Sequence, residues 1–136
     1  MAVKVVWESP MRFVGANEQG SKITMEPGPK YGGSGQNPTP LEAVAMALGA
    51  CTGIDMVLML EKMRTPLTKM EIEVDTKRRQ EPPAYYEEMK LTYVLSGEGV
   101  TDANARRAAD LSHEKYCAVG AMLQGKAKIT YAIKIV

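Results

Sequence analysis

A long apolar helix in the first half of the chain limits what this protein can fold into. The segment Thr39-Pro40-Leu41-Glu42 begins it with an N-cap threonine, a proline at the first helical position and a glutamate that completes a capping box. The helix is predicted to end near Met63, before the break at Arg64-Thr65-Pro66. Its first half, Ala43 to Ile54, is apolar on every side, so it has to be buried on every side.

A chain of 136 residues has difficulty surrounding such a helix alone. Small residues recur along it every four positions, at Ala45, Gly49 and Gly53. This stripe lets a second helix approach closely, so we expect helix-on-helix packing, across a dimer.

Length and composition indicate one soluble globular domain, residues 1–136. The net charge of +1 gives no reason to expect a nucleic acid or an anionic membrane as partner. The uncharged run from Ala43 to Ile54 is too short to span a bilayer, and the N-terminus lacks the long apolar region of a signal peptide. We therefore expect a cytoplasmic protein, in whose reducing compartment two cysteines are either inert core thiols or reactive ones.

The remaining pattern predicts an α+β domain with the order βββ-α-ββ-αα-β. The predicted elements around the long helix are strands at Val3–Glu8, Arg12–Asn17, Lys22–Glu26, Met70–Arg79 and Glu88–Ser96, helices at about Asp102–Ser112 and Glu114–Gln124, and a closing strand through Ile129, Tyr131, Ile133 and Ile135. The Gly- and Pro-rich segment from Pro27 to Pro38 is interpreted as mobile coil, or as the rim of an active site.

Two cysteines carry the chemistry that the sequence permits. Cys51 lies in the middle of the long helix and Cys117 early in the last one. Peroxide reduction needs a thiolate, a nearby cation and a second thiol that traps the sulfenic acid. The pattern by itself also fits two inert core residues.

Asp55 follows Cys51 by one helical turn. A buried carboxylate without a partner is costly, so we expect a cation nearby, with Arg12, Arg78 and Arg79 as candidates. The alternative is a solvated Asp55 at a dimer rim.

His113 is the single histidine. It either reaches the Cys117 sulfur four residues later or is solvated at a helix start. Cys51, Cys117 and His113 make a poor metal-ligand set without a C-x-x-C pair. A cysteine hydrolase is disfavoured, since its nucleophile normally lies at an exposed helix start rather than in mid-helix.

The segments from Asn37 to Glu42, Gly49-Ala50-Cys51 and Ser112 to Cys117 resemble the OsmC/Ohr family, the osmotically inducible and organic hydroperoxide resistance proteins. The resemblance extends over essentially the whole chain in element order and cysteine separation. It implies an intertwined homodimer, with two central helices wrapped by sheets to which both chains contribute.

The resemblance also implies a mechanism. Cys51 would attack the hydroperoxide and Cys117 would resolve the resulting sulfenic acid as a disulfide, which an external dithiol would reduce. No metal, haem, flavin or other cofactor is implied. Arg12 is the arginine in the early strand region where the family places a catalytic one.

The peroxide-processing branches of the family place a glutamate ten residues before the attacking cysteine, and this chain departs from that pattern. That position is Leu41, and Glu42 lies one residue later, about 100° around the helix. Glu42 is therefore either catalytic or only the capping-box residue.

The leading hypothesis is a thiol-dependent reductase of organic hydroperoxides, with a site lined by residues such as Met46, Leu48 and Ile54. The alternative is a non-enzymatic dimeric protein that binds a small apolar ligand.

Overall fold

The computed structural model describes residues 1–136 and has the predicted α+β element order. The strands are β1 (Lys4–Glu8), β2 (Arg12–Ala16), β3 (Lys22–Met25), β4 (Lys69–Arg78), β5 (Tyr86–Ser96) and β6 (Lys128–Ile135), and the helices are α1 (Pro40–Lys62), α2 (Asp102–Leu111) and α3 (Ala118–Leu123). A π-helical turn, Ser112–Tyr116, joins α2 to α3. The chain divides into two compact units, Met1–Val44 and Ala45–Val136, so the expectation of one domain stays a prediction.

The first unit is a three-stranded antiparallel meander in the order β1-β2-β3. Successive residues of a strand point to opposite faces, yet the adjacent Val5 and Val6 are 57% and 51% exposed. Trp7 is 60% exposed as well, although its indole Nε1–H donates to the Pro10 carbonyl. Both faces of this sheet thus leave apolar surface open in the single chain.

The loop after β3 is more ordered than the expected mobile coil. Glu26 is buried, and its Oε2 accepts hydrogen bonds from Ser34 Oγ at 2.6 Å and Asn37 Nδ2 at 3.0 Å. Its backbone N–H donates to the Pro38 carbonyl. The bonds from Ser34 and Asn37 tie the loop to the Glu26 carboxylate and lower the pKa of Glu26. Composition alone could not reveal this, because the anchor lies outside the Gly- and Pro-rich segment.

The second unit holds a sheet in the order β4-β5-β6, with β4 antiparallel and β6 parallel to β5. The alternation predicted for β5 is confirmed: Met89, Leu91, Tyr93 and Leu95 are fully buried, and Lys90 is exposed. A parallel neighbour requires a crossover connection, which α2, the π-helical turn and α3 provide.

The small-residue stripe of α1 packs on strand β4 of the same chain, and not on another helix. A Cβ built on Gly49 would lie 3.4 Å from Val74 Cγ2, and one on Gly53 would lie 2.7 Å from Ile72 Cδ1. The helix-on-helix expectation for this stripe is therefore wrong. The pattern showed that something approaches α1 closely, but it could not distinguish a helix from β-branched side chains on a strand.

The opposite side of α1 is apolar and uncovered. Met46 is 59%, Ile54 61% and Leu58 53% exposed. On length and composition alone α1 could cross a bilayer, a test that the core helix of a soluble protein also passes. One side of α1 is thus packed against its own chain, and the opposite side is exposed apolar surface.

Candidate active site

The structure brings the two cysteines together. Cys51 lies half-buried in the middle of α1, and Cys117 is buried at the N-cap of α3. Both are free thiols, and Cys51 lies near enough to Cys117 to raise the pKa of the Cys117 thiol. Gly120 lies against Cys117, since a Cβ built there would lie 3.4 Å from Cys117 Sγ and 3.5 Å from Leu48 Cδ1, in ordinary contact. The two thiols can therefore react with each other without a large movement.

Cys117 is held in its protonated form. Burial raises the pKa of its thiol to about 11, and the Cys51 side chain and the Asp55 carboxylate act in the same direction. The Gly120 N–H, which donates to Cys117 Sγ at 3.2 Å, opposes them. At neutral pH Cys117 is thus a neutral thiol, which is suited to a second step and not to the first attack on a peroxide.

Asp55 is satisfied by a hydroxyl group. Ser112, which is fully buried, donates from Oγ to Asp55 Oδ2 at 2.8 Å. Asp55 takes part in no ion pair of the chain. The expected cationic partner is therefore replaced by a serine from the π-helical turn, which needs no second buried charge.

Two of the arginines considered for Asp55 are engaged in the β4–β5 connection. Arg78 Nε donates to the Ala84 carbonyl at 2.6 Å. Arg79 bonds Glu81 at 3.1 Å and the Tyr85 hydroxyl at 3.2 Å. Both are therefore ruled out as partners of Asp55 within the chain.

His113 is neither bonded to Cys117 nor solvated at a helix start. It lies in the π-helical turn, half-buried, with Nε2 2.7 Å from the Tyr93 hydroxyl. Burial lowers the pKa of His113, and the charge of Asp110 opposes this. The neutral imidazole can accept a hydrogen bond from the Tyr93 hydroxyl, which keeps its proton because burial raises the pKa of Tyr93.

The sequence carried one signal for this His113–Tyr93 pair. Tyr93 occupies an inward position of an alternating strand, and a buried tyrosine hydroxyl needs a hydrogen-bond partner. The Thr52 side chain lies beside Tyr93, and its hydroxyl donates to the Gly49 carbonyl at 3.2 Å. Tyr93, Thr52 and Ser112 are the site residues that the sequence analysis missed.

Glu42 forms the predicted capping box. Its Oε1 accepts from the Thr39 N–H at 2.9 Å, and its own N–H donates to Thr39 Oγ1 at 3.2 Å. Arg12 lies exposed on β2, opposite Glu8 on β1, and its charge helps to lower the pKa of Glu26. Both residues belong to the first unit and the cysteines to the second, so a catalytic assembly of the four stays a prediction.

A cavity of about 450 Å³ borders Asp55. It is lined by Asp55, Leu58, Met59, Lys62, Met63, Arg107, Leu111 and Tyr116. Lys62 and Arg107 form no ion pair within the chain, so the lining places two positive charges and the Asp55 carboxylate beside apolar side chains. The lining expected from Met46, Leu48 and Ile54 is not found here, because Leu48 is fully buried and the other two face outwards.

Comparisons with known proteins agree on one family. The family model described as "OsmC-like protein" matches residues 33–132. Protein YhfA of Escherichia coli strain K12 is 36% identical over all of this chain and 98% of its own.

Solved structures share the fold. An OsmC-like protein from Mycoplasma pneumoniae superimposes with a TM-score of 0.84 at 20% identity, over 99% of this chain and 96% of its own. An organic hydroperoxide resistance protein from Elizabethkingia anophelis does so with a TM-score of 0.75 at 13% identity, over 100% and 97%. At these identities the likeness concerns the fold alone.

Proposed function

The chain belongs to the OsmC-like protein family, and on that premise we propose that it reduces organic hydroperoxides with Cys51 and Cys117. The observation that carries this proposal is the proximity of the two free thiols, of which Cys117 is held protonated. Inert core cysteines have no need to meet. The resemblance of the fold to organic hydroperoxide resistance proteins supports a role in peroxide resistance.

The proposed cycle has three steps. The Cys51 thiolate attacks the terminal oxygen of ROOH and breaks the O–O bond, so that Cys51 becomes a sulfenic acid and alkoxide leaves. The alkoxide takes up from solvent the proton that the Cys51 thiol had released and becomes ROH. The Cys117 thiol then condenses with the sulfenic acid, so that a disulfide forms and water leaves. An external dithiol finally reduces the disulfide and is itself oxidised to a disulfide.

A cation has to support the first step, because it favours the thiolate and polarises the O–O bond. We assign this role to Arg12, the arginine of the early strands. The capping box is a sufficient structural role for Glu42. A substitution tests whether Glu42 also takes part in catalysis.

The proposal includes a soluble, cytoplasmic homodimer. The apolar face of α1 and the uncovered faces of the β1–β3 sheet are surfaces that a second copy would cover. Large exposed apolar patches of this kind are typical of interaction sites.

The test is mass spectrometry of the reduced protein after one equivalent of cumene hydroperoxide. We expect loss of two hydrogens and a peptide pair that joins Cys51 to Cys117. The Cys51→Ser variant should lose turnover with a dithiol, whereas Cys117→Ser should leave a sulfenic acid at Cys51 that dimedone traps. Full peroxide consumption by Cys51→Ser would refute the mechanism.

A second candidate function is non-enzymatic binding of a small, largely apolar ligand. The cavity beside Asp55 favours it, because its volume and apolar lining are typical of ligand sites. Thiol titration separates the two functions: a Cys51 that is unreactive towards cumene hydroperoxide would favour binding over catalysis.

A further inference from the structure

The cavity beside Asp55 is a cleft whose wall comes mainly from α1, α2 and the π-helical turn. The two helices are joined where Ser112, which directly follows α2, donates from Oγ to Asp55 Oδ2 at 2.8 Å. A helix rises about 1.5 Å per residue, so Lys62 lies about 10 Å along α1 from Asp55. Arg107 lies about 6 Å along α2 from Leu111. Each cation is thus displaced along its own helix from the Asp55–Ser112 bond.

Apolar side chains form the rest of the wall. They are mainly Leu58, Met59, Met63 and Leu111. The volume of about 450 Å³ is typical of small-molecule sites, and Leu58 is 53% exposed. Water therefore reaches this apolar surface in the single chain, and the hydrophobic effect favours an apolar molecule that covers it.

Lys62 forms no ion pair in the chain. The residues that share its helix face one turn earlier are Leu58 and Met59, which are both apolar. Glu61 is its direct neighbour in sequence and therefore projects about 100° away around the helix. The ammonium group of Lys62 thus lines the cavity without a carboxylate to neutralise it.

Arg107 forms no ion pair either. The preceding residue, Arg106, pairs with the Asp102 carboxylate, with Nε 2.7 Å from Oδ2. Asp110, three residues after Arg107, accepts a hydrogen bond from the Tyr131 hydroxyl. The carboxylates nearest to Arg107 along α2 are therefore bound by other groups, and its guanidinium lines the cavity unpaired.

We propose that this cavity binds a carboxylate that carries an unbranched apolar chain. The carboxylate has one oxygen for Lys62 and one for Arg107, whose guanidinium suits planar oxyanions. The chain follows Leu58 and Met59 towards Asp55, whose own negative charge repels the anionic head and so sets the orientation. The inference rests on the second candidate function, ligand binding in this cavity, and requires no reaction at the cysteines.

The test is isothermal titration calorimetry of the full reduced chain with sodium octanoate. Two ligands separate charge from chain: 1-octanol has the same chain without the charge, and acetate has the charge without the chain. We expect octanoate to bind at least about tenfold more tightly than 1-octanol, and acetate to give no measurable binding. A rise in ionic strength should weaken the binding of octanoate and leave that of 1-octanol unchanged.

Substitutions locate the site. Lys62→Gln and Arg107→Gln should each weaken octanoate binding about fivefold, the upper end for an exposed ion pair, and leave 1-octanol binding unchanged. Lys134→Gln is the matched control, because it removes the same charge from an exposed position on β6 outside the cavity. Its octanoate affinity should stay within about twofold of the parent. If a variant does not fold, the dependence on ionic strength decides.

Equal affinities for octanoate and 1-octanol would overturn the proposal and leave a cavity for neutral apolar ligands. An octanoate affinity that Lys62→Gln and Arg107→Gln together do not change, or that Lys134→Gln lowers equally, would overturn it as well. Failure of both ligands to bind would remove the binding function with it. None of these results touches the peroxidase cycle, since the turnover of Cys51→Ser is measured separately.

Discussion

The two glycines of α1 should respond oppositely to alanine, because they face strand β4 at different distances. At Gly49 the new methyl group would lie 3.4 Å from Val74 Cγ2 and 3.6 Å from Ile72 Cγ2, in ordinary contact. Alanine gains about 1 kcal/mol over glycine in a helix interior. We expect Gly49→Ala to raise the free energy of unfolding by about 1 kcal/mol.

At Gly53 the same methyl group would lie 2.7 Å from Ile72 Cδ1 and 3.3 Å from Met70 Cε. Overpacking costs about 1–3 kcal/mol, against the gain of about 1 kcal/mol from helix propensity. Gly53→Ala should therefore lower the free energy of unfolding by about 0–2 kcal/mol. The colliding atoms are the ends of flexible side chains, so the lower part of that range is reached if Ile72 can turn away.

Urea denaturation at one fixed protein concentration measures both variants, since the midpoint of a dimer would depend on concentration. Ile72→Val is the control, because it deletes the Cδ1 atom that collides with the new methyl group. In that background Gly53→Ala should lose most of its penalty, as a double-mutant cycle would show. Equal destabilisation by Gly49→Ala and Gly53→Ala would refute the reasoning and indicate a partner helix along the whole stripe.

Two further predictions concern single titratable groups. Because burial lowers the pKa of His113, the only histidine, its single C2 proton resonance should titrate below the usual 6.5. The unfolded chain takes up that proton first, so the stability contributed by His113 is complete above about pH 6.5 and declines as the pH falls below it; a midpoint above 6.5 would contradict the buried Tyr93 contact. Glu42→Gln should keep the capping box, because glutamine also serves at that position, and should leave hydroperoxide turnover within about twofold. A loss of turnover in Glu42→Gln with an unchanged urea midpoint would instead assign Glu42 to catalysis.

Local patterns predicted most of the fold. The capping box at Thr39 and Glu42 depends on residues three positions apart, and the alternation of β5 depends on neighbours two apart. Such short periods can be read directly from the chain. The family resemblance is confirmed by the comparisons, and the predicted element order by the structure.

The partners of the polar side chains could not be predicted in the same way. Ser112 meets Asp55 across a large separation in sequence, and His113 on the π-helical turn meets Tyr93 on β5. These pairings follow from the π-helical turn, whose extra residue per turn redirects both side chains and leaves no mark in composition or periodicity. The two cysteines lie near each other, as the family resemblance implied, and the neutral state of Cys117 follows mainly from its burial.

The parallel pairing of β6 with β5 determines how late in synthesis the two thiols can come together. Cys117 lies on the crossover between these strands, and that crossover closes only when the last strand docks. Cys51 emerges from the ribosome long before, on a helix built from local contacts. A chain still being made therefore carries Cys51 without a correctly placed Cys117, so the two sulfurs come together only late in folding.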